Sequence, residues 1–151
     1  MKVVIALGSN LGDRAENISK AVSELNKIIE VTHLSTIYET DPVGGPEQPD
    51  YLNAVLIGKS ELDPADLLTK TLEIESALGR TREVRWGART LDIDLIVAGD
   101  VVSNSEFLIL PHPRAHERAF VLEPWLEIEP DAVLPGRGSV AALLSQLSIE
   151  E

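Results

Sequence analysis

The chain has 151 residues, 44% apolar and 25% charged, a balance typical of globular proteins that excludes disordered and fibrous classes. A formal net charge of -12 disfavours nucleic acid as a partner, because a polyanion is repelled by an acidic domain that lacks a basic face. The chain has no cysteine, which rules out thiolate metal sites, disulfides and thiol nucleophiles.

One domain over residues 1–151 is expected, since a chain of this length hides roughly 70% of its unfolded surface around a single core. Residues 3–7, Val-Val-Ile-Ala-Leu, read as a buried strand and fall far short of the roughly 20 apolar residues that span a bilayer. That strand follows Met1-Lys2 with no cleavable signal pattern, so a cytoplasmic protein is expected. Gly8-Ser9-Asn10-Leu11-Gly12 suits a tight strand-to-helix connection. Asp13 then acts as N-cap with Glu16 three residues on, and Ile18, Ala21, Val22, Leu25, Ile28 and Ile29 recur at helical spacing. Residues 31–39 are rich in β-branched and aromatic types and predict a second strand. Residues 40–50, with two glycines and three prolines, predict a loop. A third strand is expected over 52–57. Asp63-Pro64 opens a second helix, with proline at its first position, that stops at Gly79. A fourth strand occupies 91–97, a hairpin follows around 101–110, then a Pro-rich turn and a final helix bearing Val140, Leu143, Leu144 and Leu147.

Strand, helix, strand, strand, helix, strand with short connections is the order of a ferredoxin-like βαββαβ core: an α+β fold with a four-stranded antiparallel sheet, helices on one face and a C-terminal extension of hairpin and helix. Right-handed crossovers bring the ends of the first two strands beside the beginnings of the last two. The segments 8–12, 40–50 and 80–90 therefore meet at one edge of the sheet.

Leu91-Asp92-Ile93-Asp94-Leu95 alternates, so both carboxylates leave one face of a strand while the aliphatics enter the core. Their Cα atoms should lie about 6.6 Å apart, where two like charges repel by about 2.5 kcal/mol at an effective dielectric near 20. A divalent cation removes that repulsion, and magnesium suits two hard carboxylates completed by water and phosphate oxygens. The plainer reading is a solvated outer face. Arg80, Arg82, Arg85 and Arg89 fall within ten residues just before this pair, four of the 13 basic residues; guanidiniums beside aspartates make sense with a phosphate chain between them, although surface ion pairs remain open. Trp86 suits stacking on an aromatic ligand or simple packing. Glu75, in line with Leu68, Leu72 and Leu78, needs a partner, either an arginine of the next loop or a nucleotide ribose. Pro111-His112-Pro113 with Arg118 and Phe120 reads as a second phosphate-binding loop or a structural histidine. Thr40, Tyr51 and Asn53 can hold a planar polar heterocycle, with turn chemistry as the alternative for Thr40. No Walker lysine loop, kinase Gly-rich loop or dinucleotide fingerprint occurs.

The run Arg85-Trp86-Gly87-Ala88-Arg89-Thr90-Leu91-Asp92-Ile93-Asp94 resembles the signature of the 6-hydroxymethyl-7,8-dihydropterin pyrophosphokinases. The likeness extends over Gly8-Ser9-Asn10-Leu11-Gly12, Tyr38-Glu39-Thr40, Gln48-Pro49-Asp50-Tyr51-Leu52-Asn53, and Pro111-His112-Pro113 with Arg118-Ala119-Phe120-Val121-Leu122; Ala88 replaces a proline usual in the family. The resemblance implies transfer of the β,γ-pyrophosphoryl unit of ATP to the pterin hydroxymethyl group, with release of AMP. It implies Asp92 and Asp94 as ligands of two Mg2+ ions, with Arg82, Arg89, His112 and Arg118 on phosphate and Arg80 on a catalytic loop. Glu75 and Trp86 fall near ATP, while Thr40, Val43, Tyr51, Asn53, Trp86 and Phe120 form the pterin pocket. ATP and the pterin are the expected partners of a monomer, with neither nucleic acid nor membrane. A ferredoxin-like module that binds a metal or nucleotide without turnover is the competing reading.

Overall fold

A computed structural model describes residues 1–40, 50–78 and 91–150, apart from the side chains of 148–150. Five strands form the main sheet: β1 (Lys2–Ser9), β2 (Glu30–Leu34), β3 (Tyr38–Thr40), β4 (Tyr51–Lys59) and β5 (Asp92–Ala98). Its order is β2-β4-β1-β5, with β3 pairing the same edge of β4 as β2, and every pairing is antiparallel. This is the expected ferredoxin-like arrangement. The second strand is divided, however. Ser35 interrupts it: its N–H donates to the Val55 carbonyl and its hydroxyl accepts from the Val55 N–H, each at 2.9 Å. A serine side chain thereby replaces one rung of the ladder and lets the edge bend between β2 and β3.

Helix α1 (Arg14–Leu25) begins where expected, with Asp13 accepting from the Glu16 N–H at 3.1 Å. It ends before Ile28 and Ile29, which lie beyond its last turn. Gly12, at φ +74, supplies the left-handed turn ahead of the helix. Helix α2 (Pro64–Leu78) starts at the predicted proline, and its expected stop, Gly79, lies outside the described residues. Its buried residues are Leu67 and Thr71, whereas Leu72 is 45% exposed, so the apolar stripe is rotated from the one read through Leu72. Both helices cover one sheet face, where Ile18, Ala21, Leu25 and Leu67 meet Val3, Ile5, Leu7, Ala54, Leu56, Ile93 and Leu95. Each fully buried Leu or Ile there contributes about 1.5–3 kcal/mol relative to exposure.

The C-terminal third covers much of the opposite face. The hairpin β6 (Ser103–Asn104) and β7 (Ile109–Leu110) and the helix α4 (Val140–Glu150) match expectation. Two elements do not: helix α3 (Ala119–Ile128), and the hairpin of β8 (Val133–Leu134) and β9 (Gly138–Ser139). Arg118 and Phe120, read as loop residues, are the N-cap and first turn of α3. Pro124 hides this helix in the sequence, since proline past the first turn normally ends one; its burial on the sheet outweighs the lost hydrogen bond. Trp125 and Leu122 of α3, with Leu134 and Val140, pack on Val4, Val55, Ile57 and Ile96. None of the helices in the described residues is long and apolar enough to cross a membrane.

Candidate active site

Among the described residues, α3 and the segment after it cover one end of the second face. Along β1 its residues run Val4, Ala6, Gly8, and the pairing places Ala6 opposite both Val55 and Asp94, and Gly8 opposite both Asn53 and Asp92. Large apolar groups thus give way to the two smallest residues, flanked by an amide on one side and carboxylates on the other. A Cβ at Gly8 would lie 3.3 Å from Asn53 Oδ1 and 3.5 Å from a ring carbon of Tyr51. Glycine here leaves a floor over which Asn53 and Asp92 face a common space.

The acidic side forms as the alternation requires. Leu91, Ile93 and Leu95 are buried, while Asp92 and Asp94 are half-exposed on the other face. Between Val4/Ile5 and Val97/Leu95 the register shifts, leaving Ile96 as a bulge. The Ile96 carbonyl accepts from the His112 N–H at 2.9 Å. That bond ties the Pro111–Pro113 turn to β5 and brings His112 Nε2 to 4.0 Å from Asp94 Oδ1. Arg118 approaches from the start of α3, with a guanidinium nitrogen 3.8 Å from Asp94 Oδ2 and its carbon 5.6 Å from the centre of the Phe120 ring, a cation–π distance.

His112 is a neutral donor. Burial, then the cations of Arg118 and Arg114, push its pKa from the usual 6.5 down to about 4. Its Nδ1 accepts from the Arg114 N–H at 3.2 Å, so the single ring proton sits on Nε2 and points toward Asp94. Among its neighbours Asp94 therefore has this donor and the Arg118 cation, a combination that also receives phosphate oxygens.

The loop arginines expected as partners of Glu75 lie outside the described residues; its Oε2 accepts from the Ile93 N–H at 2.8 Å. It thereby fixes the backbone between the two aspartates. On the other side of Gly8, Asn53 is buried and donates from Nδ2 to Thr40 Oγ1 at 2.6 Å, which orients the amide so that its oxygen lies above Gly8. Tyr51 pairs with Thr40 across the same two strands. Val43, Arg80, Arg82, Arg85, Trp86, Ala88 and Arg89 lie outside the described residues, as do most of the segments 40–50 and 80–90.

Of the expected residues within the described part, Asp92, Asp94, His112, Arg118 and Phe120 gather on one side of Gly8 and Thr40, Tyr51 and Asn53 on the other. Sequence reading missed the spacing role of Gly8, which a glycine inside an apolar strand does signal. It also missed Arg14, Thr36 and Glu127, whose exposed charges or hydroxyls carry no local signal. Among the described residues no group of three or more His, Cys, Asp or Glu is placed to enclose a metal. The two carboxylates form an incomplete set of hard oxygens, which fits magnesium finished by phosphate and water better than a closed structural site.

A family model described as 7,8-dihydro-6-hydroxymethylpterin-pyrophosphokinase matches residues 4–130. The 2-amino-4-hydroxy-6-hydroxymethyldihydropteridine pyrophosphokinase of Bacillus subtilis is 50% identical over 126 residues, covering 82% of this chain and 75% of its own. The proteins of the same name from Aquifex aeolicus and Mycobacterium tuberculosis are 40% and 42% identical, over 88% and 97% of this chain and 83% and 84% of theirs. A crystal structure of Plasmodium falciparum HPPK-DHPS superposes with a TM-score of 0.73 at 15% identity, over 96% of this chain and 43% of that one. Another HPPK-DHPS structure, in complex with substrates, gives a TM-score of 0.76 at 11% identity over 99% of this chain. The chain spans about 43% of each of those structures, and at such identities the likeness concerns the fold.

Proposed function

The chain belongs to the 7,8-dihydro-6-hydroxymethylpterin-pyrophosphokinase family, and from that premise we propose how its residues divide the work. The enzyme transfers pyrophosphate from ATP to 6-hydroxymethyl-7,8-dihydropterin in folate biosynthesis, giving the pterin diphosphate and AMP. The hydroxymethyl oxygen attacks the β-phosphorus of ATP. The bond from that phosphorus to the α,β-bridging oxygen breaks, the electron pair leaves with AMP, and the hydroxyl proton is released.

In this reading Asp92 and Asp94 hold two magnesium ions, which supply charge neutralisation for the phosphates when bound. Arg118, and with it Arg82 and Arg89, neutralise phosphate charge directly, and Arg80 acts from the adjoining segment. His112 Nε2–H donates to a phosphate oxygen. Glu75 and Trp86 lie on the ATP side, with Glu75 acting through the Ile93 N–H to hold the aspartates. Thr40, Val43, Tyr51, Asn53, Trp86 and Phe120 take the pterin: Asn53 pairs with the ring edge and Phe120 lies against its face, its other neighbour being the Arg118 guanidinium. Rate enhancement then rests on in-line positioning and charge neutralisation.

The observation that carries this assignment is the strand rung Asn53–Gly8–Asp92, which sets a heterocycle-binding amide and a cation-binding carboxylate across one residue that lacks a side chain. The whole chain acts as one domain, since Leu134 and Val140, beyond the matched residues, complete the same core as Val4 and Ile57. A cytoplasmic monomer is the simplest setting for such an enzyme. Incubation with ATP, magnesium and the hydroxymethyl-dihydropterin, followed by phosphorus analysis of the products, tests the reaction: AMP without ADP is expected. Accumulation of ADP would point instead to transfer of the terminal phosphoryl group.

A further inference from the structure

Strand β3 has three residues among those described, set off from β2 by the break at Ser35, and it carries Thr40, the partner of Asn53. Two charged side chains from distant elements grip it. On the site face, the Glu127 carboxylate of α3 accepts three hydrogen bonds: from the Thr36 N–H at 3.0 Å, the Thr36 hydroxyl at 2.7 Å and the Tyr38 hydroxyl at 2.8 Å. On the helix face, a single nitrogen of Arg14 donates to Glu39 Oε2 at 3.1 Å and to the Asp50 carbonyl at 2.8 Å, joining the end of β3 to the start of β4. Tyr38 pairs with Asn53 across the strands, so the residue held by Glu127 is the immediate neighbour of the amide above Gly8.

We infer that Glu127 is a positioning residue for the pterin half of the site: through Thr36 and Tyr38 it seats β3 on β4 and so sets the Thr40 hydroxyl that orients the Asn53 amide. A carboxylate with three donors is well suited to this, because charge-assisted bonds are shorter and stronger than neutral ones. The Thr36 and Tyr38 bonds also hold the Glu127 carboxyl below its ordinary pKa, and the bond to Glu127 raises that of Tyr38, so the anion and the neutral phenol persist together across the neutral range. The break at Ser35 is what makes such a clamp necessary. It removes β3 from the continuous ladder of β2, and the freed Thr36 N–H turns to Glu127.

The inference rests on the assignment of Thr40 and Asn53 to the pterin, and its test keeps the two apart. Steady-state kinetics with MgATP and 6-hydroxymethyl-7,8-dihydropterin, well below the melting temperature, give KM for each substrate separately. Glu127→Ala should raise the pterin KM about tenfold and leave the ATP KM within about twofold, the signature of lost binding at one half-site. Tyr38→Phe, which removes one of the three bonds, should raise the pterin KM about threefold. Glu127→Gln keeps an amide oxygen for Thr36 and should fall between the two; should the alanine variant fail to fold, these two carry the measurement. An unchanged pterin KM in the variants that fold, or equal rises in both KM values, overturns the positioning role. Asn53→Ala is the control. If it leaves the pterin KM unchanged, the site assignment itself is wrong; if it abolishes pterin binding while the Glu127 and Tyr38 variants bind normally, only the inference about Glu127 fails.

Discussion

The two faces of one sheet behave differently although the same strands supply both. Under α1 and α2, apolar residues continue to the strand ends: Leu7, Ala54, Leu91 and Ile93 close the layer where it meets the rim. On the opposite face, Val4, Val55, Ile57 and Ile96 are equally dry beneath Trp125 and Leu122, but toward the rim the residues change to the small or polar Ala6, Gly8, Asn53, Asp92 and Asp94. A fully covered face tolerates no polar group without a partner, whereas a partly covered one can hold carboxylates beside a hydrophobic wall. The proposed site lies on the polar part of the second face, and the first layer supplies the rigidity.

Substitutions on the two faces should therefore separate activity from stability. Asp94→Ala should lower turnover by roughly 10²–10³-fold, the scale of losing one preorganised electrostatic contact, while the denaturation midpoint stays at the wild-type value. Near-normal turnover would refute a metal-binding role for Asp94. Leu56→Ala, in the closed layer, should cost about 2–5 kcal/mol of stability by urea titration, with kcat unaltered in the protein that remains folded; a change in kcat without loss of stability would erase the contrast between faces. Gly8→Ala sharpens it, since the new Cβ meets Asn53 Oδ1 at 3.3 Å. The expected result is a several-fold rise in pterin KM, on the order of 1 kcal/mol for a tight contact in a packed site, and an ATP KM near the wild-type value would locate the effect on the amide side.

The smallest expected effect concerns pH. The folded pKa of Glu127 is depressed by the Thr36 and Tyr38 bonds, so its contribution is complete above the ordinary carboxylate pKa and is lost as pH falls through the lowered folded value. As pH falls below the ordinary carboxylate range, the wild-type protein should lose slightly more stability than Glu127→Gln. Parallel stability curves for the two would show that the clamp adds nothing to the fold.

Much of this was legible in the sequence because it is local. Period-two alternation put Asp92 and Asp94 on one face, Asp13 and Pro64 marked the helix starts, and the order of elements gave the ferredoxin-like core. The division of the second strand at Ser35 was not legible, since a serine inside an otherwise β-rich run reads as one more strand residue until its hydroxyl is found replacing a backbone rung. Helix α3 was hidden by Pro124, whose local cost is outweighed by burying Trp125, a gain visible only when the sheet is present to receive it. The bond that Glu75 accepts from the Ile93 N–H, a partner 18 residues away, was not legible either.

By itself, then, the sequence determined the core topology, the paired carboxylates, and the family signature that links them to pyrophosphoryl transfer, all through patterns that span a few consecutive residues or a short repeat. Only the tertiary structure decided that Gly8 separates the amide from the acids, that His112 is held as a neutral donor against Asp94, and that Glu127 clamps the strand bearing Thr40. Those relations depend on distances between residues up to 91 positions apart, which packing of the second layer creates and no local periodicity encodes.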